Sequence, residues 1–175
     1  AQIRWQDDYA AIAPITLKNG SLRLTRGFVS HHLQITADKV GTFAQGLSFD
    51  IDWRGDDLQR WREWTGDLTL SLKSFHTGDW TRYLSQWVNW QQGNGGGTLG
   101  LTFKKAQITS AQGNWQLRNL TFTPQGTGQI VLPQFGGDLS ATLHGQDQWQ
   151  LTAKALNVTT TSGAALQQAA LTASY

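Results

Sequence analysis

The stretch Gly46-Leu47-Ser48-Phe49-Asp50-Ile51-Asp52-Trp53 decides the fold class. Leu47, Phe49, Ile51 and Trp53 alternate with Ser48, Asp50 and Asp52, so an extended backbone sends the apolar side chains to one face and the polar ones to the other. The same period recurs in Leu68, Leu70 and Leu72, interleaved with Thr69, Ser71 and Lys73, and in Leu99, Leu101 and Phe103, interleaved with Gly100, Thr102 and Lys104. These are three half-buried strands. Fainter alternations run through Ile15 and Leu17, Leu22 and Leu24, Leu33 and Ile35, Trp115 and Leu117, Leu120 and Phe122, Ile130 and Leu132, Leu139 to Leu143, and Trp149 to Ala153. Turn signals punctuate them at Asn19-Gly20, Gly41, Gly55-Asp56, Gly126, Gly136-Gly137 and Gly145-Gln146. Asn19-Gly20 is the most specific and predicts a type I′ hairpin turn, which needs positive φ at both central residues. The chain reads as mainly β, an antiparallel meander of short strands.

One segment departs from the period. Over Asp79 to Gln92 the apolar residues Trp80, Tyr83, Leu84, Trp87 and Val88 fall at helical spacing, with Thr77 or Asp79 as N-cap and Gly93 beyond the C-terminus. This predicts an amphipathic helix covering part of the apolar face. Asp56 to Trp64 reads as a further turn or two of helix or as an irregular excursion. For Ala164 to Leu171, helix propensity competes with the alternation of Leu171, Ala173 and Tyr175, and the closing strand is preferred. Gly93-Asn94-Gly95-Gly96-Gly97 follows the expected helix and precedes a strand, the reverse of a phosphate cradle, and reads as a flexible connector.

The length of 175 residues predicts a single domain over 1–175. Lys+Arg 14 against Asp+Glu 12 leaves a formal charge of +2, too little for a nucleic-acid footprint. Without cysteine there is no disulfide or thiolate metal site. Methionine is absent even at position 1, so Ala1 reads as the start of a processed chain or as a cut inside a longer one, and the cut is the expectation. No apolar run is long enough for a membrane-spanning helix and no leader pattern is present, so an anchor is expected elsewhere.

Asp50 and Asp52 share one strand face, as an acid/base pair could, but that face is the polar one opposite Phe49 and Ile51. His31 and His32 point to opposite sides of an extended chain and cannot ligate one metal together, while His76 and His144 are isolated. No nucleophile elbow or zinc-protease signature occurs. The expectation is no catalysis, no cofactor and no metal. Nine tryptophans are scattered along the chain, which favours packing of Trp53, Trp80, Trp87 and Trp115 over a ligand surface, whether a sugar platform or an apolar groove.

A meander with one apolar face must hide that face, and one short helix covers only part of it. Either the sheet closes into a barrel or sandwich, or it stays bent and open and offers the face to a ligand. An open apolar trough suits an acyl chain. Its lining is expected from Leu47, Phe49, Ile51, Trp53, Leu68, Leu70, Leu72, Leu99, Leu101 and Phe103. The alternative is an extracellular carbohydrate-binding β-sandwich. A glycosidase using Asp50 and Asp52 would need a second carboxylate-bearing strand opposite.

The order of strands from Gly46 to Asp57, then Gly66-Asp67-Leu68-Thr69-Leu70-Ser71-Leu72-Lys73-Ser74-Phe75, then Trp80 to Trp87, resembles the YhdP family, large AsmA-like proteins of the Gram-negative envelope. Gly97 to Phe103, Gly113-Asn114-Trp115 and Asn119-Leu120-Thr121-Phe122 continue the likeness, which covers Gly27 to Thr123. The resemblance implies a bent, groove-like sheet, an open barrel or taco. It implies a periplasmic segment of a protein anchored in the inner membrane, whose groove conducts phospholipid between inner and outer membranes without catalysis. Its partners would be phospholipid acyl chains, neighbouring segments of the same long chain and the two membranes at the ends of the full protein.

Overall fold

The computed structural model describes residues 2–7, 12–55, 58–80, 88–105, 107–124, 128–144 and 148–174. The strands are β1 (Gln2–Asp7), β2 (Ile12–Lys18), β3 (Ser21–Arg26), β4 (Ser30–Val40), β5 (Ala44–Arg54), β6 (Thr65–His76), β7 (Val88–Lys104), β8 (Gln107–Pro124), β9 (Ile130–His144), β10 (Gln148–Thr159) and β11 (Ala165–Ser174). They form one 11-stranded sheet in the order β1-β2-β4-β5-β6-β7-β8-β9-β10-β11, with β3 also on β4. Every pairing is antiparallel, as expected of a meander. The two ends of this order do not pair, so the sheet is open. Ala165–Ser174 is the expected closing strand in sequence, yet it closes nothing and forms a free edge.

Asn19-Gly20 does not make a hairpin. Leu17 pairs with Val40 and Ser21 with Thr36, so β2 and β3 lie in one register along β4, like a single strand broken at Asn19. Only Asn19 takes a positive φ there, +51°, and its amide donates to Asp38 Oδ2 at 3.0 Å. A type I′ turn loses because β4 is long enough to pair with both segments.

The expected helix over Asp79 to Gln92 is also overturned. Thr77–Trp80 is a 3₁₀ turn, β7 begins at Val88, and residues 81–87, with Tyr83, Leu84 and Trp87, lie outside the described residues. No α-helix occurs among the described residues. Asn89 pairs with Thr123, Trp90 with Phe122 and Gln92 with Thr121, ladder bonds that an amphipathic period does not outweigh in a short segment. The 3₁₀ turn at Leu58–Glu63 matches the short excursion expected after β5.

The glycine run is no connector. Gly95, Gly96 and Gly97 sit inside β7, paired to β6 and β8. A Cβ on Gly95 would lie 2.0 Å from Gln116 O, and one on Gly97 would lie 2.4 Å from Trp115 Cε3. The missing side chains let Phe75 of β6 and Trp115 of β8 meet over β7, edge to face with centroids 6.0 Å apart. Gly136-Gly137, expected as a turn, likewise lies within β9.

Val40, Ala44, Leu72 and Phe75 form the core, and Leu17 from β2 and Trp115 and Leu117 from β8 pack against it. Strands so far apart in the order reach one cluster only if the apolar face is concave there. A line of backbone irregularity crosses the sheet beside this cluster. Asn19, Gly46, Gly137, Ala155 and Gln168 all have positive φ. Register shifts accompany it after Leu72 in β6, after Lys154 in β9/β10 and after Ala153 in β10/β11. Adjacent bulges of this kind bend a sheet and increase its twist.

Candidate functional site

Beyond that line the ladders show what the alternation builds. Leu24 pairs with Leu33, Leu33 with Ile51, Ile51 with Leu68, Leu68 with Leu101, Leu101 with Ala111, Ala111 with Ala141, Ala141 with Leu151 and Leu151 with Ala173. The neighbouring row runs Leu22, Ile35, Phe49, Leu70, Leu99, Gly113, Leu139, Ala153 and Leu171, again by direct pairing at every step. Two unbroken apolar rows therefore cross the sheet from β3 to β11, about 40 Å at the ~4.8 Å spacing of neighbouring strands. The opposite face repeats the register in polar residues: His32, Asp52, Asp67, Thr102, Ser110 and Thr142 in one row, and Gln34, Asp50, Thr69, Gly100, Gln112 and Ser140 in the next.

The apolar rows are not sealed. Ile35, Phe49, Ile51, Leu68, Leu70, Leu99 and Leu101 are half-buried, and Leu22, Leu24, Leu139, Leu151 and Leu171 are exposed. Between β7 and β11 the small residues Ala111, Gly113, Ala141 and Ala153 lower the floor into a hollow of about 410 Å³, walled by Leu99, Trp115, Leu139, Leu151 and Leu171.

Of the ten expected lining residues, Phe49, Ile51, Leu68, Leu70, Leu99 and Leu101 fall in these rows. Leu47 lies at the edge of the core, and Leu72 is buried in it at 7% exposure. Trp53 and Phe103 share a row through Gly66 at the other end. Trp53 offers little surface: it is stacked between His31 at 5.0 Å and Trp64 at 5.2 Å, and its Nε1 has no hydrogen-bond partner among the described residues. The hollow in β8 to β11 was not assigned from the sequence, although Leu139 to Leu143 and Trp149 to Ala153 carried the alternation that builds it.

Asp50 and Asp52 stand on the polar face. Gln34 donates to Asp50 Oδ1 at 3.0 Å, Ser48 to Asp50 Oδ2 at 3.1 Å, and His32 Nδ1 lies 2.9 Å from Asp52 Oδ1. His31 and His32 do point to opposite sides, His31 into its aromatic stack with Nε2 3.1 Å from Gly55 O. These are local polar pairs on the polar face of the sheet.

The family model described as YhdP protein matches residues 1–175, the whole chain. The chain belongs to the YhdP family. This is an AsmA-like family associated with lipid transport. No curated protein and no solved structure matches the chain. Among the described residues no helix is long and apolar enough to cross a membrane.

Proposed function

We propose that this chain is a section of a periplasmic bridge that carries phospholipid between the inner and outer membranes of a Gram-negative envelope, in a protein anchored to the inner membrane. The observation that carries the reading is the pair of apolar rows left uncovered from β3 to β11. Acyl chains lie along these rows and in the hollow beneath Trp115, head groups stay at the rim, and Leu47, Phe49, Ile51, Leu68, Leu70, Leu99, Leu101 and Phe103 make the contacts, with Trp53 and Leu72 closing the ends. Area burial at about 25 cal/mol per Å² drives binding without direction, so a chain can slide from strand to strand and many lipids are tolerated. No step involves bond making, and no cofactor is required.

Photo-crosslinking amino acids test this. Placed at Leu70 and Leu139 they capture phospholipid, whereas at Thr69 and Ser140 on the polar face they do not. Equal labelling of the two faces, or none at either, rejects the groove. A sugar-binding sandwich is disfavoured because the described strands form one sheet and Trp53 is enclosed.

A further inference from the structure

The β3–β4 hairpin ends in a tight turn in which Gly27 N–H donates to Ser30 O at 2.7 Å. Its tip is apolar and projects into solvent: Phe28 is 100% exposed and Val29 45%. The tip is braced. Gly55 N–H donates to Val29 O at 3.2 Å, and the next side chain inward, His31, is buried against Trp53. Leu22 and Leu24 follow on the free edge strand, 57% and 61% exposed. Exposed Arg23 lies between them on the other face of the strand and exposed Arg26 follows on their own face, and from Ile12 through Ala37 the sequence carries Lys18, Arg23 and Arg26 but no Asp or Glu. Two carboxylates face the hairpin from β5: Asp50, which accepts from Gln34 at 3.0 Å, and Asp52, 2.9 Å from His32; Asp38 of β4 accepts from Asn19 at 3.0 Å.

We infer that this corner is a membrane contact, with Phe28 and Val29 inserted at the headgroup–acyl boundary of an anionic bilayer and Arg23 and Arg26 on its phosphates. A two-residue tip is far smaller than the roughly 800 Å² per partner of a stable protein interface. A bilayer needs no shaped pocket, accepts a lone aromatic ring, and pairs with arginines whose stems snorkel along apolar surface. The contact itself does not depend on the proposed transport role. It rests on that role in one respect: both apolar rows begin at Leu22 and Leu24, so a bilayer held here would meet the rows end-on and could load them.

The test is co-flotation of the chain with vesicles of phosphatidylcholine plus phosphatidylglycerol, against phosphatidylcholine alone. The chain floats with the anionic vesicles at low salt and is released at high salt. Phe28→Ser lowers the partition coefficient about tenfold, equivalent to about 1.4 kcal/mol, and Arg23→Gln with Arg26→Gln lowers it at least as much. Both variants alter exposed side chains, and circular dichroism verifies their fold. Leu70→Asp keeps vesicle binding while losing the acyl crosslink, which separates failure of the contact from failure of the groove. A wild-type chain that stays unbound with anionic vesicles overturns the inference, as does Phe28→Ser binding equal to wild type. Equal binding to neutral vesicles overturns the anionic assignment.

Discussion

Phe75 and Trp115 meet edge to face across a strand that has only glycine beneath them. Gly97 pairs with Leu72 on one side and Trp115 on the other, and a Cβ there would come within 2.4 Å of the indole and 2.5 Å of Asn114 O. Gly97→Ala is therefore expected to destabilise by about 1–3 kcal/mol, as overpacking does. Gly100→Ala is the control: the nearest atoms to its new Cβ belong to the Gln112 side chain, at 3.2 Å, which can move aside, so the change stays within about 1 kcal/mol of wild type. Urea unfolding of the two variants checks the difference, and an equal loss in both would show that the indole does not set the cost.

The same glycines mark where sequence reading stopped. The alternation through Leu47 to Trp53, Leu68 to Leu72 and Leu99 to Phe103 was legible because each run is continuous, and the rows follow from it once register is known. Register is a property of pairs of strands, so the nine-residue row ending at Leu171 was not visible in any single run. Gly93 to Gly97 looked like a linker because the requirement for glycine comes from Phe75, Trp115 and Leu117, distant in sequence. The helix expected after Asp79 was drawn from a true 3.6-residue period, but Asn89 to Gln92 have partners in β8 that the local pattern does not contain.

Ala155 and Gln168 hold left-handed φ values of +49° and +51° on the line of irregularity, where an L side chain costs about 1–2 kcal/mol. Asn157 bridges the two, donating to Ala155 O at 2.8 Å and accepting from the Gln168 N–H at 3.3 Å. Ala155→Gly should raise stability by about 0.5–1 kcal/mol, the relief of φ exceeding the added chain entropy. Thermal unfolding reads this directly, and a lower melting temperature would contradict a backbone bend imposed at that residue.

Trp53 presents the opposite balance, a large enclosed ring whose N–H has no partner among the described residues. Trp53→Phe removes the unpaired donor, whose burial costs about 1–3 kcal/mol, along with part of the stacked area, so the net change should be under about 1 kcal/mol. Trp53→Ala opens a cavity between His31 and Trp64 and should cost about 3–5 kcal/mol. Urea unfolding of the pair would refute this account if Phe and Ala proved equally damaging.

Leu70 and Leu72 sit two residues apart on the same face of β6 and separate the open rows from the core. Leu72 is buried with Val40, Ala44 and Phe75, so Leu72→Asp places a charge among them and should cost about 3–5 kcal/mol or abolish folding. Leu70 lies between Phe49 and Leu99 in a row that solvent reaches, so the carboxylate of Leu70→Asp keeps part of its hydration and the loss should stay under about 3 kcal/mol. The folded Leu70→Asp chain should then fail to capture lipid from a photo-crosslinker at Leu99, its partner in the row, because an acyl chain cannot displace water from the charge. Urea unfolding together with crosslinking decides between the two faces of this argument. Unfolding of Leu70→Asp as severe as that of Leu72→Asp would mean the row is sealed core, and would count against acyl chains lying on it.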